Sequence, residues 1–476
     1  MERLNKLRPM MIIVLISQLF FACAADQDEF IDENINDEEE VTEVYAEATI
    51  YYEKDNDKFA VVYNKNGDKK TFENGKKVGH IKEPAPDPIT PPDDATNVEI
   101  IEDDAWTDEE AIDQTSPDTQ PETDPELGQE LSAEVQYWKD RFDHEWTNPE
   151  NHLDSLDAHT RSKSKNLNAD YYYLSWYIDG LSSMWQATGD TEYLDEALVL
   201  INNTLNDAVD VGGGYKGWPT SDGKEYPLYD SYYWRHVITI VRILHQSPNL
   251  RSTKDYQAQY EKLLEFSIKH IWDKWTTRGD NHIYRSRTHM ASHWARLGLE
   301  LYTITGDPKY KTVFDNISHG DMHNFPSNLR GQLQPHPNNP NAIIWASVWG
   351  ATLPNGIQDT PHAGAVISFW VLAYEQNAYW TKNDIDGLIV TLDEVIWKDS
   401  YGSNFTKNVD GSGGYEIPWR LHEWLTLGRF SQKIQDKIKN NYNSYDNLRS
   451  YGSEALGIAA LNAKILEDGK GVYPEQ

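Results

Sequence analysis

His289, His293 and Arg296 stand at positions i, i+4 and i+7 of an otherwise apolar run, so on a helix they form one polar stripe. Imidazole and guanidinium groups aligned in this way can move protons and neutralise an anion. Stripes of this kind also occur as hydrogen-bonded polar groups of a core. This one follows a segment carrying His282, Tyr284, Arg285 and Arg287, which favours a functional reading. The His289/His293 spacing also suits a metal pair. Met290, Ala291 and Ser292 between them supply no glutamate base, however, and no metal is expected there.

A second constellation precedes it. Tyr229, Asp230, Tyr233, Trp234, Arg235 and His236 crowd the start of another apolar run, behind Gly212-Gly213-Gly214-Tyr215, Trp218 and Tyr226. Further along, Asp359-Thr360-Pro361-His362-Ala363-Gly364 reads as a helix start, with Pro in the first turn and Asp359 placed either to cap it or to act with His362. Tyr415, Trp419, Arg420 and Glu423 open a further run, where an Arg–Glu pair serves structure as readily as a site. Arg330, His336, Trp345 and Trp349 lie in a long segment between Asp321 and Gln358 that has no helical period and is expected to wall a cleft.

The elements that must position these residues are helices in pairs. One set, apolar on more than one face, begins at Asn168, Tyr229, His289, Pro361, Pro418 and Gly452. More amphipathic partners span Thr191–Val209, Thr253–Trp275, Pro308–Ile317 and Asp384–Trp397. Two connections repeat a phrase, Thr188-Gly189-Asp190 before Tyr193 and Thr305-Gly306-Asp307 before Tyr310, in which Gly ends one helix and Asp caps the next. The spacing predicts an all-α domain over residues 131–476, six or seven helical hairpins forming an (α/α) toroid or incomplete barrel, with an open solenoid as the competing arrangement. Polar, aromatic loops before most of the buried helices favour the ring, because they suit a shared cleft at one mouth.

Ahead of this domain the chain changes character. Arg3, Lys6 and Arg8, an apolar run from Met10 to Ala22, and Cys23 read as a signal peptide over residues 1–22 with a lipidation site at the chain's only cysteine. The expectation is export as an outer-membrane lipoprotein, facing the cell surface or the periplasm, or else secretion. The membrane is then met only through the lipid. Nine Asp or Glu residues fall between Asp26 and Glu40 with no cation among them, a composition that stays solvated. Residues 45–81 alternate as short strands, and Pro84 to Pro125 reads as an extended linker, so 23–130 is expected to be a disordered acidic and Pro-rich tether with a short β segment. A net charge of −34 argues against nucleic acid as a partner. The 17 Trp and 28 Tyr suit stacking on sugar faces but suit a large helical core nearly as well.

The paired helices, the Thr-Gly-Asp connections, the run Tyr233-Trp234-Arg235-His236 and the His/Arg-rich stripe make residues 131–467 resemble the (α/α) toroid polysaccharide lyases that act on glucuronan or alginate. The resemblance implies β-elimination on an acidic, uronate-containing polysaccharide without a cofactor. On it, His236, Arg287 and His293 would neutralise the carboxylate and abstract the proton, and Tyr284, or next Tyr233, would protonate the leaving oxygen. Tyr229, Asp230, Trp234, Arg235, His289, Arg330, His362, Tyr415 and Arg420 would bind the chain. The physics is consistent, since a proton beside a carboxylate becomes acidic only when the developing charge is stabilised. Two rivals are a glycoside hydrolase on the same ring, drawing on Asp179, Asp230, Asp359 and Glu423, and a glycan-binding lipoprotein without catalysis.

Overall fold

The computed structural model describes residues 48–54, 57–63, 68–73, 76–82, 96–102, 131–147, 155–164, 167–220, 223–398, 405–416, 418–444 and 452–471. The signal segment, Cys23 and the acidic block fall outside them. The chain divides into two compact units, Met1–Gln120 and Pro121–Gln476.

The first unit is a five-stranded antiparallel sheet in the order β4-β3-β2-β1-β5. Its strands are β1 (Ala48–Lys54), β2 (Asp57–Tyr63), β3 (Asp68–Glu73), β4 (Lys76–Lys82) and β5 (Thr96–Glu102). The meander of β1 to β4 follows the alternating segment. The fifth strand corrects the linker reading, because Thr96–Glu102 returns to pair with β1, Ile50 opposite Ile100. Ala60, Val62 and Phe72 are buried together on one face, a core of β-branched and aromatic type that the period of two predicts.

The second unit is helical. Its main helices are α1 (Ala133–Thr147), α2 (Ser155–Ser162), α3 (Leu167–Thr188), α4 (Thr191–Asp207), α5 (Pro227–His245), α6 (Tyr256–Phe266), α7 (Thr288–Thr305), α8 (Pro308–Ser318), α9 (Thr360–Glu375), α10 (Lys382–Val390), α11 (Pro418–Phe430, wound as a 3-10 helix), α12 (Gln432–Ser444) and α13 (Gly452–Asp468). Helices α6 and α10 each continue into a π-wound turn, Ser267–Asp273 and Thr391–Ile396. Both repeated connections behave as read: Gly189 and Gly306 turn at positive φ, and Asp190 and Asp307 accept the backbone N–H of Glu192 and Lys309.

Helix packing closes a ring. In order, α3, α5, α7, α9, α11 and α13 each pack on the next, and α13 packs back on α3. Helices α4, α6, α8, α10, α12 and α1 form the outer layer, each against an inner partner. The described residues therefore make a closed (α/α)6 toroid, within the six or seven hairpins expected. Cross-helix partners also fix the direction of the inner helices. His236 meets Asp179, Thr239 meets Arg296, and Glu300 takes Arg242 one turn further on. His289 meets His362, Arg296 meets Ser368, and Thr303 meets Gln376. Glu423 meets Ser368 and Arg429 meets Glu375. Partners advance together along the chain, so these inner helices run parallel and their N-termini open on one mouth. No helix among the described residues is long and apolar enough to cross a membrane.

Candidate active site

On α5 the residues divide by face with helical period. Tyr232, Arg235, His236 and Thr239 turn into the ring, whereas Asp230, Tyr233 and Trp234 turn to the outer layer. This revises part of the expected site. Asp230 is ion-paired to Lys274 at 2.7 Å and accepts from Trp275 Nε1, so it anchors the short turn Lys274–Thr276 that follows the π-wound segment. Tyr233 shares a hydrogen bond with Thr204 on α4, and Trp234 donates to Ser267.

Tyr284 accepts from Asn316 Nδ2 on outer helix α8 at 3.0 Å and stacks on His323. These partners engage it in the outer layer, away from the residues of α3 and α5 that line the ring. Arg330 is held bidentately by Asp384, at 2.6 and 2.9 Å, and donates to Tyr379. It braces the start of α10. Trp345 and Trp349 are buried too, Trp345 between the Trp370 and Trp424 rings. The side chains of Tyr415 and Arg420 lie outside the described residues.

At the centre of the ring two ionic groups sit side by side. Arg235 Nη1 lies 2.5 Å from Glu423 Oε1, with both side chains buried, and the same guanidinium covers the Tyr232 ring at 4.0 Å. Burial alone would raise the Glu423 carboxyl, but Arg235 holds it below its ordinary value. Arg235, expected to bind the chain, is thus charge-paired with Glu423.

Beside this pair, His236 Nδ1 approaches Asp179 Oδ1 at 3.1 Å without hydrogen-bond alignment. Glu454, from the start of α13, completes a group of three whose ligand atoms lie within 4.8 Å of one another. Burial works to raise Asp179, but His236, then Arg296 and Arg235, hold it well below the carboxylate range. Glu454 moves the other way, pushed far up by burial and by the charge of Asp179. Burial lowers His236 to about 4 and drives His293 well below its ordinary value, so both imidazoles are neutral at pH 7. One nitrogen and two carboxylates could hold a divalent ion. Arg296 already sets a positive charge against Asp179, however, Arg235 is matched by Glu423, and a protonated Glu454 leaves this corner balanced without one.

Nearer the mouth, aromatic rings line one side. Tyr172 and Tyr232 stack at 3.8 Å, Trp176 Nε1 donates to the Tyr232 hydroxyl at 2.7 Å, and Tyr173 packs edge-on to Trp176. Tyr229 meets Tyr172, and His293 meets the Tyr232 edge. Across the ring, His289 stacks on His362 at 4.4 Å, and Asp359 Oδ1 receives both the backbone N–H and Nδ1 of His362. Burial raises Asp359, but its bonds to His362 bring it down to about 2. Arg287 immediately precedes α7, its backbone bridged to Val348. Of the expected site residues, the structure thus gathers Tyr229, His236, Arg287, His289, His293 and His362 around the inner-helix starts. It adds Asp179, Glu454, Tyr172, Trp176, Tyr232 and His422, of which Asp179 was expected only for a hydrolase. The sequence signal for Glu454 is its type: it is the single acid between Gly452 and Leu461, at the head of the apolar run that begins at Ala455.

No protein-family model and no curated protein matches the chain. Among solved structures, similarity is found to the GH76A alpha-1,6-mannanase from Salegentibacter sp. HEL1_6, at 11% identity over 65% of this chain and 98% of that one, TM-score 0.38. An inactive variant of that enzyme in complex with alpha-1,6-mannotetrose gives 11% identity, 66% and 98% coverage, and a TM-score of 0.37. A family 105 glycoside hydrolase of C. acetobutylicum ATCC 824 gives 13% identity, 66% and 99% coverage, and a TM-score of 0.37. The closed ring described above rests on this chain's own helix contacts.

Proposed function

We propose that this protein is a glycoside hydrolase that cleaves a polysaccharide at the mouth of the ring, with Asp179 as the carboxylate that meets the sugar. The observation that carries the reading is the pair Asp179 and Glu454, held within 4.8 Å and driven in opposite directions. Two carboxyl groups whose environments separate their affinities for protons divide the labour of acid and base. Asp179 is ionised and partly open to the ring, its side chain 19% exposed. Glu454 lies fully buried behind it and keeps the proton, which leaves by way of Asp179. The wall of Tyr172, Trp176, Tyr229 and Tyr232 offers faces on which a sugar stacks.

β-Elimination is the second reading, favoured by Arg287 and by the inner-helix N-termini, which suit an anionic sugar such as a uronate. It is weakened because Arg235 is paired with Glu423, and because His236 and His293, neutral and so able to accept a proton, supply no positive charge to a uronate carboxylate. The deciding experiment incubates the protein with a panel of neutral and uronate-containing polysaccharides, following reducing ends and the ultraviolet absorbance of a C4–C5 double bond. Reducing ends without absorbance support hydrolysis. Both rising together would replace it with elimination, and neither would leave a glycan-binding protein. Export and acylation at Cys23 remain part of the proposal, and a Cys23→Ala variant released from the membrane fraction is the result expected.

A further inference from the structure

The site described so far uses one side of the ring. A second pair of titratable groups, Asp359 and His362, stands unused on the other. Six inner helices follow one another as α3, α5, α7, α9, α11 and α13. Helix α3, which carries Asp179, and helix α9, which carries His362 in its first turn, are three steps apart and face each other across the ring. Packed helices lie about 8–10 Å apart, so opposite axes of such a ring are roughly 16–20 Å apart. Two inward side chains then leave a lateral gap on the order of 6–10 Å. His362 stands level with His289, one helical turn or roughly 5.4 Å nearer the mouth than the level of Asp179 and His236. The two groups are therefore roughly 8–11 Å apart, and the lower end of that range overlaps the roughly 6.5–9.5 Å between the acid and the base of an inverting glycosidase.

The pair is built as a proton-transfer device. Asp359 Oδ1 takes Nδ1 of His362 at 2.8 Å and also caps the helix on the His362 backbone, so ring and tautomer are fixed by one oxygen. Both side chains stay about one-third exposed, unlike His236 and His293 deeper in the ring. His289, stacked on His362, has a buried Nδ1 with no hydrogen-bond partner, a polar atom left on this side of the ring. Helix capping alone accounts for Asp359 but not for an imidazole fixed at the mouth opposite Asp179.

We infer that His362, oriented by Asp359 across the ring from Asp179, is the catalytic base that activates water for hydrolysis with inversion. The inference rests on the hydrolase reading. In the step, the water oxygen bonds to the anomeric carbon as its proton passes to Nε2 of His362. The glycosidic C–O bond breaks with its electron pair on oxygen, which takes the proton that Glu454 supplies through Asp179. One water is consumed, one reducing end and one free hydroxyl are formed, and both residues are reset by proton exchange with solvent.

The test uses the full chain and the polysaccharide that yields reducing ends in the panel above. His362→Ala is expected to lose at least about 100-fold in kcat with KM little changed, and added imidazole to restore part of the loss. His362→Gln, which keeps size and hydrogen bonding, controls for folding and should stay inactive with a wild-type unfolding midpoint. The first anomer seen by NMR should be inverted relative to the substrate. Retention of configuration, or kcat within a fewfold of wild type in both variants, overturns the assignment while leaving hydrolysis standing. A wild-type protein that forms no reducing ends from any polymer overturns the hydrolase reading and this inference with it.

Discussion

Gly180 of α3 and Gly457 of α13 meet backbone to backbone where the last inner helix returns to the first. A Cβ on Gly180 would fall on the Ser453 carbonyl oxygen and 2.6 Å from its carbon, and one on Gly457 would lie 2.8 Å from Gly180 Cα. These are main-chain atoms that cannot rotate away. The contact closes the ring and brings Glu454, three residues before Gly457, up to Asp179. Gly180→Ala and Gly457→Ala are each expected to cost ~1–3 kcal/mol, read as a lower denaturant midpoint, and to reduce activity by separating the two carboxyls. An unchanged midpoint in both would mean that the helices do not approach this closely.

Arg235 and Glu423 form a fully desolvated pair in the ring, so removing one partner strands the other. Glu423→Leu is expected to destabilise by about 3–5 kcal/mol, whereas the double change Arg235→Met with Glu423→Leu should recover much of that loss. Urea unfolding of the two singles and the double measures it. Additive losses would show that the charges are not coupled.

Tyr284 separates the expectation from the sequence and the geometry found here. Its hydroxyl serves Asn316 on an outer helix, so Tyr284→Phe should cost about 0.5–1.5 kcal/mol of stability and leave kcat within a fewfold of wild type. A collapse of kcat at unchanged stability would return Tyr284 to the role of acid.

The helical frame was readable because its signals are local. The Thr-Gly-Asp phrases mark helix ends through backbone geometry, and the six buried runs lie within a few residues of α3, α5, α7, α9, α11 and α13. Outer helices α1 and α12 do not stand out in the sequence, since each has only a narrow apolar face, Val135, Trp138 and Phe142 on one and Ile434, Ile438 and Tyr442 on the other, among many polar residues. Strand β5 was missed because prolines and acids around Thr96–Glu102 mask a short Val-Glu-Ile-Ile alternation. The site was only half legible for a different reason. Tyr233, Trp234 and Arg235 are consecutive, and which of them faces the ring depends on helix rotation, a tertiary fact. Glu454 lies 275 residues from Asp179, and no spacing rule joins them. The charge of Arg235 invites a binding role until Glu423 is found against it.

The protonation of the Asp179–Glu454 pair makes a linked prediction for pH. A carboxyl whose folded value is raised, as for Glu454, contributes stability below the ordinary glutamate value, and that contribution is lost as pH rises through the folded value. Asp179 has the opposite sign: lowered in the fold, it contributes above the ordinary aspartate value and loses this as pH falls. Glu454→Gln should therefore flatten the decline in stability between weakly acidic and neutral pH, because glutamine keeps the neutral form that the fold prefers. Asp179→Asn should lose stability at neutral pH, since it removes the carboxylate that faces His236, Arg296 and Arg235. In activity the two should converge, each lowering kcat by roughly 100- to 10,000-fold, one by removing the proton and the other by removing its route to the sugar. Thermal midpoints from pH 4 to 8, taken beside kcat on the same preparations, separate the two effects. Parallel pH profiles for wild type and Glu454→Gln would mean that Glu454 is ionised in the fold, and the division of labour proposed for the pair would fail.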